Sequence, residues 1–135
     1  MLKNRYCHIL KNLSQIQAKS MTVFIDACFS GESPKGMIVE AMSGLTVEIK
    51  IPMKESRKMV VVTASRGDQV ASWDKIAKHG LFTKHLLLAL RGEADANSDR
   101  KITVGEVHAY LDDEMTYQAR RQYNRDQKAS VKGSP

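Results

Sequence analysis

Two short apolar runs constrain the fold of this chain more than any other feature of its sequence. Residues 21–26 read MTVFID and residues 59–64 read MVVVTA, and both are rich in β-branched or aromatic residues. Runs of this length and composition are typical of strands buried in a parallel sheet. Helical periodicity is predicted around them over residues 9–19, from Gly80 to Gly92 and from about Thr103 to Gln122. This order of elements predicts an α/β fold.

The remaining elements make the sheet look incomplete. An alternating run from Leu45 to Ile51 predicts a half-exposed strand, and residues 70–73 predict a short edge strand. The last ten residues are predicted to be frayed. Because two or three buried strands make a narrow sheet, we expect a larger sheet that lacks its first strands.

Composition excludes several classes of protein. The chain has 135 residues, of which 42% are hydrophobic, so one globular domain is expected. The longest apolar run has five residues, Leu86 to Leu90, whereas a membrane-spanning helix needs about 18. The N-terminus has no secretory pattern, and Cys7 and Cys28 are too few for a disulfide framework. We expect a cytoplasmic protein with no membrane partner.

The net charge of +6 belongs to the two ends of the chain. Residues 1–20 and 117–135 are basic, whereas residues 21–116 are slightly acidic. A nucleic-acid surface would require aromatic residues interleaved with the basic ones, and this chain has too few of them. We therefore predict a domain over residues 1–116, followed by a basic helix end and loose tail over 117–135, and a nucleic-acid partner is not expected.

Cys28 lies just beyond the first predicted strand, where open α/β sheets bind ligands. The small residues Ala27, Ser30 and Gly31 around it allow a sharp turn and close approach of a substrate. Backbone N–H groups in such a turn can face a developing oxyanion. A lone cysteine is more commonly a buried apolar filler. Composition and spacing leave both interpretations open.

The segment Asp26-Ala27-Cys28-Phe29-Ser30-Gly31 resembles the nucleophile motif of caspase-like cysteine peptidases, nearest to metacaspases and their bacterial relatives. Residues 60–65 resemble the strand that follows the nucleophile. Residues 67–71 and 79–83 resemble the start of the small-subunit part. The resemblance covers about residues 10–115 and implies a caspase-like three-layer α/β/α domain, present here as its C-terminal portion.

The resemblance also implies a chemistry. Cys28 would attack a peptide or protein substrate as a thiolate and form an acyl-enzyme. Asp26 and Asp68 match acidic positions that help metacaspases to bind a basic residue before the cleaved bond. Cleavage after Arg or Lys is therefore expected.

One essential residue of the family has no counterpart in the expected place. In caspases the catalytic histidine precedes the cysteine by about 50 residues, whereas only 27 residues precede Cys28. His8, His79, His85 and His108 are each interpreted as structural. Either another chain supplies the histidine, or this chain is a non-catalytic peptidase-fold module for assembly or partner binding.

Residues 95–106 fit a calcium-binding loop at most positions. The side chains placed to bind calcium are Asp95, Asn97, Asp99, Thr103 and Glu106. Arg100 stands where such a loop requires glycine. The same residues also fit turns and a helix-capping box at Thr103, so calcium and simple capping both stay open. No other cofactor is expected.

Overall fold

The computed structural model describes residues 2–26, 32–33, 36–37, 58–66 and 69–133. The α-helices are α1 (Leu2–Ser14), α2 (Leu81–Leu88), α3 (Val104–Tyr110) and α4 (Thr116–Tyr123). The strands are β1 (Met21–Ile25), β2 (Glu32–Ser33), β3 (Gly36–Met37), β4 (Met59–Thr63), β5 (Trp73–Asp74), β6 (His79–Gly80) and β7 (Ser130–Gly133).

The main sheet has three strands in the order β1-β4-β7. β1 and β4 are parallel, with Met21 opposite Met59 and Ile25 opposite Thr63. β7 is antiparallel to β4. Short antiparallel pairs join β2 to β3 and β5 to β6. The two apolar runs thus pair in the parallel manner that their composition predicts.

Helices cover the two faces of this sheet because alternate side chains of β4 point in opposite directions. On one face, Met59 and Val61 pack with Leu10 of α1. On the other, Val60 and Val62 join a larger cluster formed mainly by α2, α3 and α4. The prediction of an α/β fold is confirmed, and the described residues form three layers.

β1 is less buried than predicted. Four of the five residues of β4 are buried, whereas β1 alternates between half-buried and exposed side chains. The larger cluster contains no residue of β1, and Phe24 remains 37% exposed. Among the described residues β1 pairs only with β4, and a strand that is paired on one side buries less surface than one paired on both.

The first helix is displaced from its predicted range of 9–19. α1 begins at Leu2 and ends at Ser14, whose hydroxyl donates a 2.6 Å hydrogen bond to the carbonyl of Lys11. This side-chain bond competes with continuation of the helix. The short strand predicted over 70–73 lies slightly later, as β5, and the strand predicted over 45–51 lies outside the described residues.

The predicted frayed end is wrong over residues 127–133. Gln127 is fully buried, Ala129 is 1% exposed, and β7 pairs with β4 so that Val131 lies opposite Val62. The strand was not predicted because the segment is mostly polar, and Val131 is the apolar residue that β7 adds to the core.

The two later helices agree with prediction. α2 continues through a π-helical turn over Ala89–Glu93, where Gly92 adopts a φ of 124°. α3 begins with the predicted capping box between Thr103 and Glu106 and continues through a second π-helical turn, Leu111–Met115, into α4. Within the described ranges, no helix combines the length and apolarity that crossing a membrane requires.

Candidate active site

The carboxyl ends of β1 and β4 form one edge of the sheet. Ile25 ends β1, and its carbonyl accepts a 3.0 Å hydrogen bond from the backbone N–H of Ala64, just past the end of β4. Cys28 follows Ile25 by three residues in the sequence. Cys28 and Asp68 lie outside the described residues, so the structure positions the strand that leads to the cysteine.

Asp26 is the first residue after β1, and its carboxylate points to the start of α2. The backbone N–H of Thr83 donates to Oδ2 of Asp26 at 3.3 Å, and the Thr83 hydroxyl donates to the same oxygen. α2 begins after Gly80, which offers no side-chain cap, and its first turn has no acidic residue. The third N–H of a helix is one that capping side chains normally accept. Asp26 therefore caps α2 from 57 positions away.

Gly80 makes this contact sterically possible. A Cβ atom at Gly80 would overlap the carboxylate of Asp26. The end of β1 and the junction between β6 and α2 are therefore in close contact.

The β5–β6 hairpin beside this edge is organised by Asp74. Oδ1 of Asp74 accepts the backbone N–H groups of Ile76 and Ala77, each at 2.9 Å, and Oδ2 lies 3.0 Å from Nζ of Lys84. Burial by itself would raise the pKa of the Asp74 carboxyl, but the bonds from Ala77, Lys84 and Ile76 together hold it below its usual value. The hairpin is thus fixed by a charged side chain that is 4% exposed.

Gln127 links the end of β4 to the entry of the hairpin. Its Oε1 accepts the N–H of Ser72 at 2.7 Å, and its Nε2 donates to the carbonyl of Ala64 at 3.0 Å. The hydroxyl of Thr116, in α4, donates to the Gln127 carbonyl at 2.9 Å. Three separate segments therefore meet at one buried residue, two through its side chain and one through its backbone carbonyl.

Two of the described histidines, His79 and His85, are held by structural contacts. Nε2 of His85 lies 2.8 Å from Oε1 of Gln118, Nδ1 is buried without a partner, and burial lowers the pKa of this imidazole. Nδ1 of His79 lies 3.1 Å from the carbonyl oxygen of Gly80. His8 is exposed, and His108 is half-buried on α3. His79 directly precedes Gly80, the glycine that contacts Asp26 at this sheet edge.

The predicted calcium loop uses its oxygen atoms for its own backbone. Both carboxylate oxygens of Asp95 accept N–H groups, from Asp99 at 3.1 Å and Arg100 at 2.9 Å. Asn97 accepts a bond from Asp99, and Asp99 accepts one from Lys101.

The last predicted ligand, the Glu106 carboxylate, also has a structural partner. It accepts the backbone N–H of Thr103 at 2.8 Å and so completes the capping box. In the part of the chain that the structure describes, no group of three or more His, Cys, Asp or Glu side chains could hold a metal ion. Turn formation and capping account for these contacts, and calcium binding stays a prediction.

The comparison with protein families decides what this arrangement is. The model of the caspase domain matches residues 1–133, nearly the entire chain. The chain belongs to the caspase-domain family. No curated protein matches it. The caspase-like resemblance is thereby confirmed, and the sheet edge described above belongs to a peptidase-fold module.

Two residues that hold this caspase-domain edge together, Thr83 and Gln127, have no signal of that role in the sequence. Thr83 lies in a segment that resembles the family, but nothing in the sequence indicates its bond to Asp26, 57 positions earlier. Gln127 lies in a polar segment that was predicted to be loose. The one available signal was Asp26 itself, a charge placed directly after an apolar strand.

Proposed function

We propose that this caspase-family chain is a cysteine endopeptidase domain with Cys28 as its nucleophile. The main support is the position of β1, which ends beside β4 three residues before Cys28 in the sequence. Side chains that follow adjacent parallel strands emerge at one sheet edge, the usual ligand-binding edge of open α/β sheets. Membership of the caspase-domain family gives that edge its chemical interpretation.

In the proposed reaction, the Cys28 thiolate attacks the carbonyl carbon of the scissile peptide bond. Collapse of the tetrahedral intermediate breaks the C–N bond, and a histidine gives its proton to the leaving amine. Water then gives a proton to the same histidine and attacks the thioester, and the thiolate leaves as the carboxylic acid forms. Backbone N–H groups after β1 would stabilise the oxyanion.

The histidine is proposed to come from a second chain. Among the described residues, β1 has a hydrogen-bonded neighbour on its β4 side alone. The other edge presents backbone donors and acceptors with which an additional strand can pair. A strand that pairs there parallel to β1 would end at the same sheet edge and could place an imidazole near the cysteine.

Cleavage after Arg or Lys remains part of the proposal. Of the two acidic residues predicted to bind the basic side chain, Asp68 lies outside the described residues. Oδ2 of Asp26 already accepts two hydrogen bonds from Thr83. Asp26 is nevertheless exposed at this edge, so both acidic residues stay part of the proposal.

The alternative is a non-catalytic peptidase-fold module for assembly or partner binding. The histidines favour it, since His85 is 5% exposed and bonded to Gln118, and His79 is bonded to its neighbour's carbonyl. Neither histidine is therefore placed as a base for proton transfer to a substrate.

Alkylation by iodoacetamide separates the two functions, because it reports the thiolate without requiring turnover. An activated Cys28 should react faster than Cys7 and at a pH below the usual thiol pKa of about 8.5. Mass spectrometry of the two cysteine-containing peptides over a pH series gives both rates. Equal rates and equal pH profiles would reject the nucleophile proposal and leave the non-catalytic module.

A peptidase assay then tests the need for a second chain. We expect the purified chain to cleave Arg- and Lys-containing fluorogenic peptides little or not at all. Cleavage that Cys28→Ala abolishes would confirm the endopeptidase and show that the chain contains its own base.

A further inference from the structure

We propose that His85 makes the β5–β6 hairpin sensitive to mild acid: when the imidazole gains a proton, Lys84 is displaced from Asp74 and the hairpin is released from the helices. The proposal goes beyond the proposed function, since it requires neither the cysteine nor a substrate. It is carried by a series of hydrogen bonds that connects a buried imidazole to a buried carboxylate.

This series of bonds passes through the side-chain amide of Gln118, in α4. Its Oε1 lies 2.8 Å from Nε2 of His85 and 3.0 Å from Nζ of Lys84. The same Nζ lies 3.0 Å from Oδ2 of Asp74, and Nε2 of Gln118 lies 3.4 Å from that oxygen. The other oxygen of Asp74 accepts two backbone N–H groups of the hairpin turn. One amide therefore connects α2, α4 and the hairpin.

These bonds determine which nitrogen of the neutral His85 carries the proton. Oε1 of Gln118 can only accept, so Nε2 of His85 is the donor and Nδ1 is the basic nitrogen. Nδ1 is buried and has no hydrogen-bond partner among the described residues, and the whole residue is 5% exposed. A proton added at Nδ1 would therefore create a buried, charged donor without an acceptor, which is strongly unfavourable.

The added charge on His85 would also meet a like charge. The Lys84 ammonium bonds to the same amide oxygen as the imidazole, so two cations would compete for one acceptor. Burial, and then the charge of Lys84, lower the pKa of His85 below its ordinary value of 6.5. Because a hydrated imidazole keeps that ordinary value, acid favours an arrangement in which the ring has left this position.

Carboxylates on the neighbouring elements provide a second position for the protonated ring. Glu93 and Glu114, in the two π-helical turns, are exposed, and their charges act on the pKa of His85 in the direction that favours the cation. On α3, the ring of Tyr110 lies 6.2 Å from that of His85, and its hydroxyl donates to Glu93. The neutral ring is therefore bonded inside, whereas the charged ring is favoured at the surface.

Displacement of Lys84 would free the hairpin because Asp74 would lose its cation. The Asp74 residue is 4% exposed, and a buried carboxylate without a counter-charge is costly until it reaches water. Among the described residues, β5 and β6 pair with each other and not with the main sheet, so they can move while that sheet stays intact. Since Gly80 contacts Asp26, the movement would reach the sheet edge described above.

Trp73, in β5, is the only tryptophan of the chain and reports directly on the hairpin. It is half-buried, so movement into water should shift its fluorescence emission to longer wavelength. The experiment records this emission from pH 8 to pH 5, with circular dichroism at each pH to show that the chain stays folded. His85→Gln removes the titrating group. His79→Gln, in the same hairpin, is the matched control.

We expect the emission to shift with a midpoint below pH 6.5 while circular dichroism stays unchanged. Between pH 6.5 and the lowered pKa of His85, the ratio of released to bound hairpin should rise by up to about tenfold per pH unit. His85→Gln should abolish the shift, and His79→Gln should retain it. Glu114→Gln removes an attracting charge and should move the midpoint to lower pH, whereas Asp113→Asn, at the exposed neighbouring position, should not.

Three results would overturn the proposal: an unchanged Trp73 emission in the folded chain, a shift that persists in His85→Gln, or a shift that coincides with loss of circular dichroism. The last would make His85 a determinant of global stability alone. If His85→Gln does not fold, equal midpoints in Glu114→Gln and Asp113→Asn reject the proposal. None of these measurements involves Cys28, so failure of the peptidase proposal would not affect them.

Discussion

Oε1 of Gln127 accepts a 2.7 Å hydrogen bond from the backbone N–H of Ser72, although 55 positions separate the two residues. Both residues are fully buried. The same glutamine donates through Nε2 to the carbonyl of Ala64. One side chain thus satisfies a donor and an acceptor that would otherwise be buried without partners, beside the sheet edge that leads to Cys28.

The first prediction concerns the stability that Gln127 provides. Gln127→Leu keeps the approximate volume but leaves the Ser72 N–H and the Ala64 carbonyl unpaired. Each buried orphan costs about 1–3 kcal/mol, so we expect these two to lower the free energy of unfolding by roughly 2–6 kcal/mol. Urea denaturation followed by circular dichroism measures the change.

An exposed glutamine of α4 provides the control for this substitution. Gln122 accepts a bond from Gln118 at the surface, and Gln122→Leu should change stability by less than about 1 kcal/mol. If Gln127→Leu were as mild as Gln122→Leu, the buried bonds would not be stabilising the fold.

The second prediction is a loss of stability in mild acid caused by His85. Burial, more than any other cause, lowers the pKa of His85 below its ordinary value of 6.5, and the nearby Lys84 adds to this. Bonding to Gln118 and the charges of Glu114 and Glu93 oppose the shift. Below about pH 6.5 the unfolded chain therefore binds a proton that the folded chain does not, and stability falls as pH falls.

Between pH 6.5 and the lowered pKa, the free energy of unfolding should fall by at most about 1.4 kcal/mol per pH unit. Denaturation at intervals from pH 8 to pH 5 measures it. His85→Gln should remove the slope even if it lowers stability at every pH, whereas His8→Gln, at an exposed site, should preserve it. An unchanged slope in His85→Gln would assign the acid sensitivity to other groups.

The third prediction concerns Arg100 and calcium. Arg100 has a φ of 65° in the loop, a conformation that costs a residue other than glycine about 1–2 kcal/mol. It also adds a positive charge next in sequence to the predicted ligand Asp99. We expect the natural loop to bind calcium weakly, near millimolar concentration, and Arg100→Gly to bind it more tightly and to raise the free energy of unfolding by about 1 kcal/mol.

Isothermal titration calorimetry of the unsubstituted chain and of Asp95→Ala shows whether the natural loop binds calcium. Heat that disappears in Asp95→Ala would establish a calcium site. The absence of heat up to millimolar calcium, in the natural chain and in Arg100→Gly, would leave turn formation and helix capping as the roles of these residues. Lys101→Gly, at a position without positive φ, controls for the effect of a new glycine on stability.

Patterns within a few residues predicted more of this structure than relationships between distant ones. The parallel pair β1 and β4, the end of α2 at Gly92 and the capping box at Thr103 all follow from local composition and spacing. By contrast, β7 is bound by its pairing with β4, and its own sequence has little strand character. The site follows the same division, since the cysteine motif identifies the family whereas the bond from Thr83 to Asp26 depends on a contact across 57 positions.

The fourth prediction tests whether the last strand, β7, stabilises the fold. Gly133 has a φ of 95°, and a Cβ atom there would overlap the carbonyl oxygen of Met59, at the start of β4. Gly133→Ala should therefore push β7 away from β4 and lower the free energy of unfolding by about 2–3 kcal/mol.

Gly105→Ala is the matched control, because the nearest atom to its new Cβ is 3.8 Å away and alanine suits a helix. Urea denaturation compares the two variants, and hydrogen exchange of the strand amides should show faster exchange in Gly133→Ala alone. Equal stability of the two variants would mean that pairing of β7 with β4 contributes little to the fold.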